Sequence, residues 1–183
     1  MVKFGNNYYL WLGAFCIFLI DQATKMWALN MLHFDNEIII NSLFSFHRVY
    51  NEAYIMLNYN VYENNYINLV DPLQFKLIYA SVALVLMSGI IWVTNQPALK
   101  EHSWPAEFSK TGLFIIMGGI LGNAYDRIFR DDGVIDFLRI NTFDTIPIVN
   151  FADILIYFGE FCLLAAWAIV LINIPYKKLT KMN

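Results

Sequence analysis

Two aspartates carry the strongest candidate chemistry in this chain: Asp136 in the sequence VIDF and Asp153 in the sequence NFADILI. Carboxylates that lie close together cannot easily both ionise, so they share one proton and titrate as a pair. Such a pair can activate a water for attack on a peptide carbonyl while the protonated partner supplies a proton, without a metal. Each aspartate alone has a structural alternative, because Asp136 could pair with Arg130 or Arg139 and Asp153 could cap a helix.

A second polar cluster lies in the run GGILGNAYDR, residues 118–127. The spacing of Gly118 and Gly122 predicts that another helix approaches closely here. Three polar residues follow at helical spacing and are predicted to share one face: Asn123, Asp126 and Arg127. The sequence therefore predicts a polar cluster at a tightly packed helix end.

Three more ionisable residues lie within apolar runs, where charge is costly and a functional role is the default hypothesis. Asp21 and Lys25 are four residues apart and so share a helical face, although a helix-end ion pair that reaches the membrane interface is an alternative. Glu160 lies seven residues beyond Asp153, about two turns deeper on nearly the same face, and is expected to face the bundle interior. A structural and a functional role for Glu160 remain open.

Composition indicates that these residues are positioned by a membrane bundle. Hydrophobic residues make up 58% of the 183 residues and charged residues only 15%. Long apolar runs near ~20 residues predict transmembrane helices. The predicted spans are residues 8–32, 75–93, 108–125 and 154–174. We expect one all-α membrane domain, residues 1–183, of four transmembrane helices with a small extracytoplasmic β-rich region.

An even number of spans places both termini on one side, and the basic residues that flank the helices favour the cytoplasm. The outer loops are then residues 33–74 and 126–153, which also hold most of the acidic residues. Within the first loop, Ile38 to Ile40 and residues 43–50 mix β-branched, aromatic and polar side chains, which is typical of strands. Asp136 and Asp153 would flank the same outer end of the bundle.

Other classes of function find little support in the sequence. The formal net charge of −3 offers no basic surface for nucleic acid. Cys16 and Cys162 lie in apolar runs without a second cysteine or histidine at ligand spacing, so neither a disulfide framework nor a metal site is indicated. We expect no cofactor.

Four sequence blocks, taken in order around four spans, resemble the signature of the lipoprotein signal peptidase family, also called signal peptidase II. The blocks are DQATK at residues 21–25, GNAYDR at 122–127, VIDF at 134–137 and NFAD at 150–153. Each block alone is a weak pattern, but their order and number make the match specific. The similarity covers nearly the whole chain.

The resemblance implies an aspartyl endopeptidase that cleaves a prolipoprotein just before a cysteine carrying a diacylglyceryl group, at the outer face of the bacterial inner membrane. It implies that Asp136 and Asp153 are the catalytic pair. It further implies a set of residues that support the pair or bind substrate: Asn51, Asn123, Arg127, Asn150 and Asp21. Asp126 and Lys25 are expected to be structural. The expected partners are lipid-modified prolipoproteins and membrane lipids, and we expect a monomer.

One block departs from the family pattern and keeps a second interpretation open. The family has a glycine soon after an asparagine here, whereas this chain reads NEAYIM over residues 51–56. Because glycine serves close backbone approach, its absence indicates a reshaped stretch near the substrate and a changed preference or activity. A relative that binds lipoproteins without cleaving them is the alternative, against which the two retained aspartates argue.

A small proton-coupled transporter is a further alternative, since intramembrane acids often form relays. Its relay sites would be Asp21, Asp126, Asp153 and Glu160. A relay requires acids spread through the depth of the membrane, whereas most acids here are predicted at one end of the bundle. The peptidase interpretation is therefore preferred.

Overall fold

The structure is a computed structural model that describes residues 8–33, 36–51, 72–96, 103–142 and 148–179. These residues form four helices and a three-stranded sheet. In chain order the elements are α1 (Tyr8–Met31), β1 (Ile38–Ile39), β2 (Phe44–Asn51), α2 (Pro72–Thr94), α3 (Trp104–Phe129), β3 (Val134–Ile140) and α4 (Phe151–Leu179). The small sheet next to a helical bundle is the predicted fold class.

The helices coincide with the four predicted spans, although their ends differ. At α3 the helix begins at Trp104 rather than at residue 108, because Pro105 occupies the first turn of the helix. Proline is tolerated there, since the first turn has no intrahelical partner for its N–H. The predicted span, which begins at residue 108, left Pro105 outside the helix, and this boundary is wrong.

Among the described helices, three are long and apolar enough to cross a membrane: Tyr8–Met31, Lys76–Thr94 and Phe151–Val170. The helix α3 packs against α1, α2 and α4. Polar side chains of α3 such as Ser109, Lys110 and Asp126 are therefore buried in protein, which explains how a less apolar helix fits in this bundle. The outward faces of the other helices carry exposed apolar side chains such as Leu84, Trp92 and Trp167, as a lipid-facing surface requires. The protein is embedded in a membrane.

Glycines in α3 allow α1 to approach as the sequence predicts. A Cβ on Gly118 would lie 2.8 Å from the backbone oxygen of Ala14 and 2.7 Å from Cγ2 of Ile17. A Cβ on Gly122 would collide with the carboxylate of Asp21. The predicted close approach is thus confirmed, and it brings the polar residues of α1 and α3 together.

The sheet lies at the end of the bundle where α1 ends and α4 begins. Its strands are antiparallel in the order β1-β2-β3, with Val49 opposite Asp136. The strands predicted within residues 38–50 are confirmed. Asp136, however, was assigned to an outer loop and lies instead on β3, because residues 134–140 pair with β2 and bury Ile135. A strand constrains the position of Asp136 more tightly than a loop would.

Candidate active site

Asn150 brings the two predicted catalytic aspartates together. Its side-chain Nδ2 donates to Asp136 Oδ1 at 2.7 Å, and its backbone N–H donates to Asp153 Oδ2 at 3.0 Å. Asp136 comes from β3 and Asp153 from the first turn of α4. One fully buried asparagine therefore contacts both carboxylates and fixes the strand relative to the helix.

The start of α4 explains how Asp153 is held. Asn150 precedes the helix, and its Oδ1 accepts from the backbone N–H of Asp153 at 3.0 Å, while Asp153 accepts in return from the backbone N–H of Asn150. This reciprocal pair is a capping box, which satisfies two backbone donors at the helix start. The cap alternative for Asp153 is thus correct, and it does not prevent the carboxylate from also facing the site.

Two further asparagines complete the surroundings of the aspartates. Asn123 Nδ2 donates to Asp153 Oδ1 at 2.8 Å, and Asn51 Nδ2 donates to Asp136 Oδ2 at 3.0 Å. Each of the four carboxylate oxygens thereby accepts a hydrogen bond from an asparagine. Because these donors are neutral, they orient the two carboxylates without neutralising them. The repulsion between the two negative charges therefore remains.

The environment of Asp136 favours its protonated form. Only 2% of Asp136 is exposed, and this burial raises its pKa, with the nearby charge of Asp153 acting in the same direction. Hydrogen bonds from Asn51 and Asn150 and the charge of Lys25 lower the pKa, but the net effect raises it to about 6. A carboxyl with a pKa near neutrality is suited to proton transfer.

A buried ion cluster lies beneath the aspartates. Lys25 Nζ is 2.8 Å from Asp21 Oδ2 and 2.8 Å from Asp126 Oδ2, and all three side chains are inaccessible to solvent. Asp126 also pairs with Arg130 at 2.7 Å, and Asp21 Oδ1 accepts from the backbone N–H of Ala152 at 3.0 Å. The alternative that Asp21 and Lys25 reach out to the interface is therefore wrong. They join α1 to α3 and to the start of α4.

The ion cluster and the site are connected, because Asn123 Oδ1 accepts from Lys25 Nζ at 2.9 Å. We refer to the connected side chains as the polar network. Its members are Asp21, Lys25, Asn51, Asn123, Asp126, Arg130, Asp136, Asn150 and Asp153.

Arg127, which was predicted to share a helical face with Asn123 and Asp126, has its guanidinium 5.2 Å from the ring centre of Tyr79 on α2. One prediction about an individual residue fails. Glu160 was expected to face the bundle interior, but its side chain is exposed. Small residues decide the rotation of α4, because Gly159 packs against α3 and thereby turns its neighbour Glu160 outward.

Some members of the polar network escaped the sequence interpretation. Arg130 was not proposed as a site residue, although it lies four residues after Asp126 and this spacing is the ordinary signal of a helical ion pair. The role of the Ala152 backbone N–H has no signal in the sequence. The altered segment after Asn51, residues 52–56, lies outside the described residues.

Comparison with known proteins gives concordant matches. The model of a family described as Signal peptidase (SPase) II matches residues 13–169. A lipoprotein signal peptidase from Clostridium novyi (strain NT) is 31% identical over 148 residues, which are 79% of this chain and 87% of that protein. One from Cellvibrio japonicus (strain Ueda107) is 30% identical over 167 residues, 89% of this chain and 88% of that protein.

Two solved structures, both described as bacterial membrane enzymes determined by the in meso method, share the fold. One has a TM-score of 0.67 at 17% identity and covers 90% of this chain and 94% of its own. The other has a TM-score of 0.65 at 18% identity and covers 91% and 89%. At this identity the likeness concerns the fold alone.

Proposed function

The chain belongs to the signal peptidase II family, and from that premise we propose that it is an intramembrane aspartyl endopeptidase with Asp136 and Asp153 as its catalytic pair. Its reaction is removal of the signal peptide from diacylglyceryl-modified prolipoproteins, by cleavage before the lipidated cysteine. The observation that carries the proposal is the contact of Asn150 with both carboxylates. Through this contact, Asn150 holds the carboxylate of Asp136 on β3 next to the carboxylate of Asp153 on α4.

The two acids take different roles in the proposed reaction. Asp136 holds the proton, since burial raises its pKa to about 6. Asp153 is the carboxylate, because it lies at the start of α4, where the helix dipole stabilises negative charge, and accepts from Asn123 and the backbone of Asn150. A carboxyl that holds a proton, next to a carboxylate that accepts hydrogen bonds, supplies an acid and a base.

The proposed steps conserve atoms and charge. Asp153 takes a proton from a water whose oxygen bonds to the carbonyl carbon, while Asp136 gives its proton to the carbonyl oxygen. In the resulting diol the carbon–nitrogen bond then breaks. Asp153 passes its proton to the leaving nitrogen of the cysteine, and one hydroxyl returns a proton to Asp136. The pair is restored, and the products are a carboxylic acid and an amine.

We further propose how the membrane surrounds this site. All four helices span the bilayer, with α3 inside the bundle, both termini in the cytoplasm and the sheet at the outer face of the bacterial inner membrane. The acyl chains of the substrate then lie against exposed apolar helix surfaces such as those around Trp27 and Leu19 on α1. The strands β1 and β2, between α1 and α2, and β3, between α3 and α4, then lie outside the membrane, and the protein acts as a monomer.

The remaining site residues serve the pair in this proposal. Asn51, Asn123 and Asn150 orient the two carboxylates through the hydrogen bonds described above. Asp21 positions the start of α4 through the Ala152 N–H, and Arg127 binds the substrate backbone. The transporter alternative loses support, because the exposed Glu160 does not continue a buried chain of acids.

The test is cleavage of a diacylglyceryl-modified prolipoprotein by purified protein in detergent, followed by the size of the product. Asp136→Asn and Asp153→Asn are expected to abolish cleavage while the proteins stay folded. Asp131→Asn is the matched control, because Asp131 is an exposed aspartate next to the sheet, and it is expected to cleave like wild type. A folded but inactive wild type would contradict the proposal and favour a relative that binds lipoproteins without cleaving them.

A further inference from the structure

Lys25 has a bonding pattern that a purely structural role does not require. Its ammonium has three N–H donors. It donates a hydrogen bond to Asn123 Oδ1 at 2.9 Å, and it forms ion pairs with Asp21 Oδ2 and Asp126 Oδ2, each at 2.8 Å. The contacts are therefore three in number. Two of these neutralise charge, as expected of a structural lysine. The third reaches an amide that itself contacts the site.

The contact with Lys25 determines how the Asn123 amide is oriented. An amide can present either its oxygen or its nitrogen in a given direction. Here both Lys25 and Asn150 donate to Asn123 Oδ1, so the amide nitrogen is left to donate to Asp153. The reversed amide would direct its NH₂ group at the ammonium of Lys25 and its oxygen at the carboxylate of Asp153. Both contacts would be repulsive. The lysine therefore selects the orientation that stabilises the Asp153 carboxylate.

We propose that Lys25 is a positioning residue of the peptidase, which acts through Asn123 to orient the Asp153 carboxylate beside Asp136. The inference rests on the proposed function and deepens it. It gives Lys25 a role in the reaction, where the sequence interpretation gave it a structural role. It also predicts which kinetic property depends on this lysine.

The charges around Lys25 come from every element that packs on it. They are Asp21 on α1, Asp126 and Arg130 on α3, Asp136 on β3 and Asp153 on α4. The two cations of this cluster balance Asp21 and Asp126. The charge of Lys25 also reaches the pair, since it lowers the pKa of Asp136 and so partly offsets the effect of burial.

A charge-neutral double variant separates positioning from stability. Lys25→Met with Asp21→Asn removes one cation and one anion, and the asparagine can still accept from Ala152. Its matched control is Lys110→Met with Glu107→Gln, because this second buried lysine pairs with Glu107 at 2.6 Å in the first turns of α3. The single variant Asp21→Asn, which retains Lys25, shows what the loss of Asp21 contributes.

We expect kcat of the Lys25 double variant to fall about tenfold with KM unchanged, as for loss of one charge-assisted hydrogen bond that orients the base. The alkaline limb of its pH profile moves to higher pH, because Asp136 loses a neighbouring cation and keeps its proton longer. The Lys110 double variant is expected to keep both the kcat and the pH profile of wild type. Asp21→Asn is expected to keep the pH profile.

A second Lys25 variant distinguishes the hydrogen bond from the charge and covers a failure of the first to fold. Lys25→Gln with Asp21→Asn keeps a donor for Asn123 but no charge, so kcat recovers most of its loss while the pH limb stays shifted. A wild-type kcat in the folded Lys25→Met double variant would overturn the positioning role and leave the proposed function intact. An inactive wild type would overturn both.

Discussion

The two ends of the bundle each bury a lysine, and they use it differently. Lys25 contacts Asp21 on its own helix and Asp126 and Asn123 on α3, so it ties two helices together and connects them to the site. Lys110, at the opposite end, pairs with Glu107 three residues earlier on its own helix. A buried charge that joins elements constrains their relative positions, whereas one paired locally does not. The site is built at the end where the charge joins elements.

Removing each lysine tests this difference directly and gives the largest expected effect. Lys25→Ala leaves Asp21 and Asp126 buried with one cation fewer, and breaking such a buried pair costs about 3–5 kcal/mol of unfolding free energy. Lys110→Ala leaves Glu107, whose side chain is 37% exposed and can meet water, so we expect about 1 kcal/mol or less. Denaturant titration in detergent micelles measures both. Equal losses would contradict the comparison.

The titration of Asp136 tests the polar network by pH. Its pKa is raised from 3.8 to about 6, so the folded state favours the protonated form. Protonation of Asp136 therefore stabilises the folded state, fully below the pKa of the unfolded chain and no longer once the pH has risen through about 6. The shift corresponds to about 3 kcal/mol of unfolding free energy. Relative to Asp136→Asn, the wild type should therefore lose about this much unfolding free energy between pH 4 and pH 8.

The pH comparison uses differences between variants, which cancels any hydrogen bond that the new amide gains or loses at all pH values. Asp131→Asn again serves as control. Asp131 is exposed, and the hydrogen bond from Lys76 lowers its pKa, which is opposite in direction to the shift of Asp136. Replacing Asp131 should therefore not reproduce the loss of unfolding free energy with rising pH. A pH-independent difference between wild type and Asp136→Asn would mean that burial does not shift this carboxyl.

Two glycines of α3 sharpen the comparison at a smaller scale. A Cβ on Gly122 collides with the Asp21 carboxylate, whereas one on Gly112 would lie 2.8 Å from the backbone oxygen of Gly159. Each Gly→Ala variant should lose about 1–3 kcal/mol of unfolding free energy by overpacking. Only Gly122→Ala displaces the polar network, so we expect its kcat to fall about tenfold while the kcat of folded Gly112→Ala is unchanged. Matched kcat values would contradict this.

Hydropathy and local spacing predicted the parts of this molecule that depend on neighbours in sequence. The helices followed from apolar runs, and the contact of Asp21 with Lys25 followed from a separation of four residues. The two candidate acids were singled out by residue type and by the resemblance. Their connection through Asn150 could be anticipated on the α4 side alone, where the contact is local.

Apart from the close helix approach at Gly118 and Gly122, features that depend on long-range packing were not predicted. The strand β3 was missed because its pairing with β2 joins residues far apart in sequence. Its short apolar run does not identify a strand without that partner. The contact of Lys25 with Asn123 spans 98 residues. The orientation of Glu160 failed because Gly159 and Cys162 pack against Gly112 of α3 and set the rotation of α4, which hydrophobic periodicity alone does not determine.

A lysine that pairs with an exposed partner completes the series and gives the smallest expected effect. Lys76 at the start of α2 pairs with Asp131 at 2.8 Å, but the Asp131 side chain is 96% exposed. Water and salt screen such a pair, and ordering two side chains offsets much of the attraction. We therefore expect Lys76→Met to change neither the unfolding midpoint nor cleavage measurably at 0.15 M salt, an ionic strength at which exposed pairs are largely screened. A loss like that of Lys25→Ala would show that bond length, rather than burial and connection between elements, decides what a lysine contributes here.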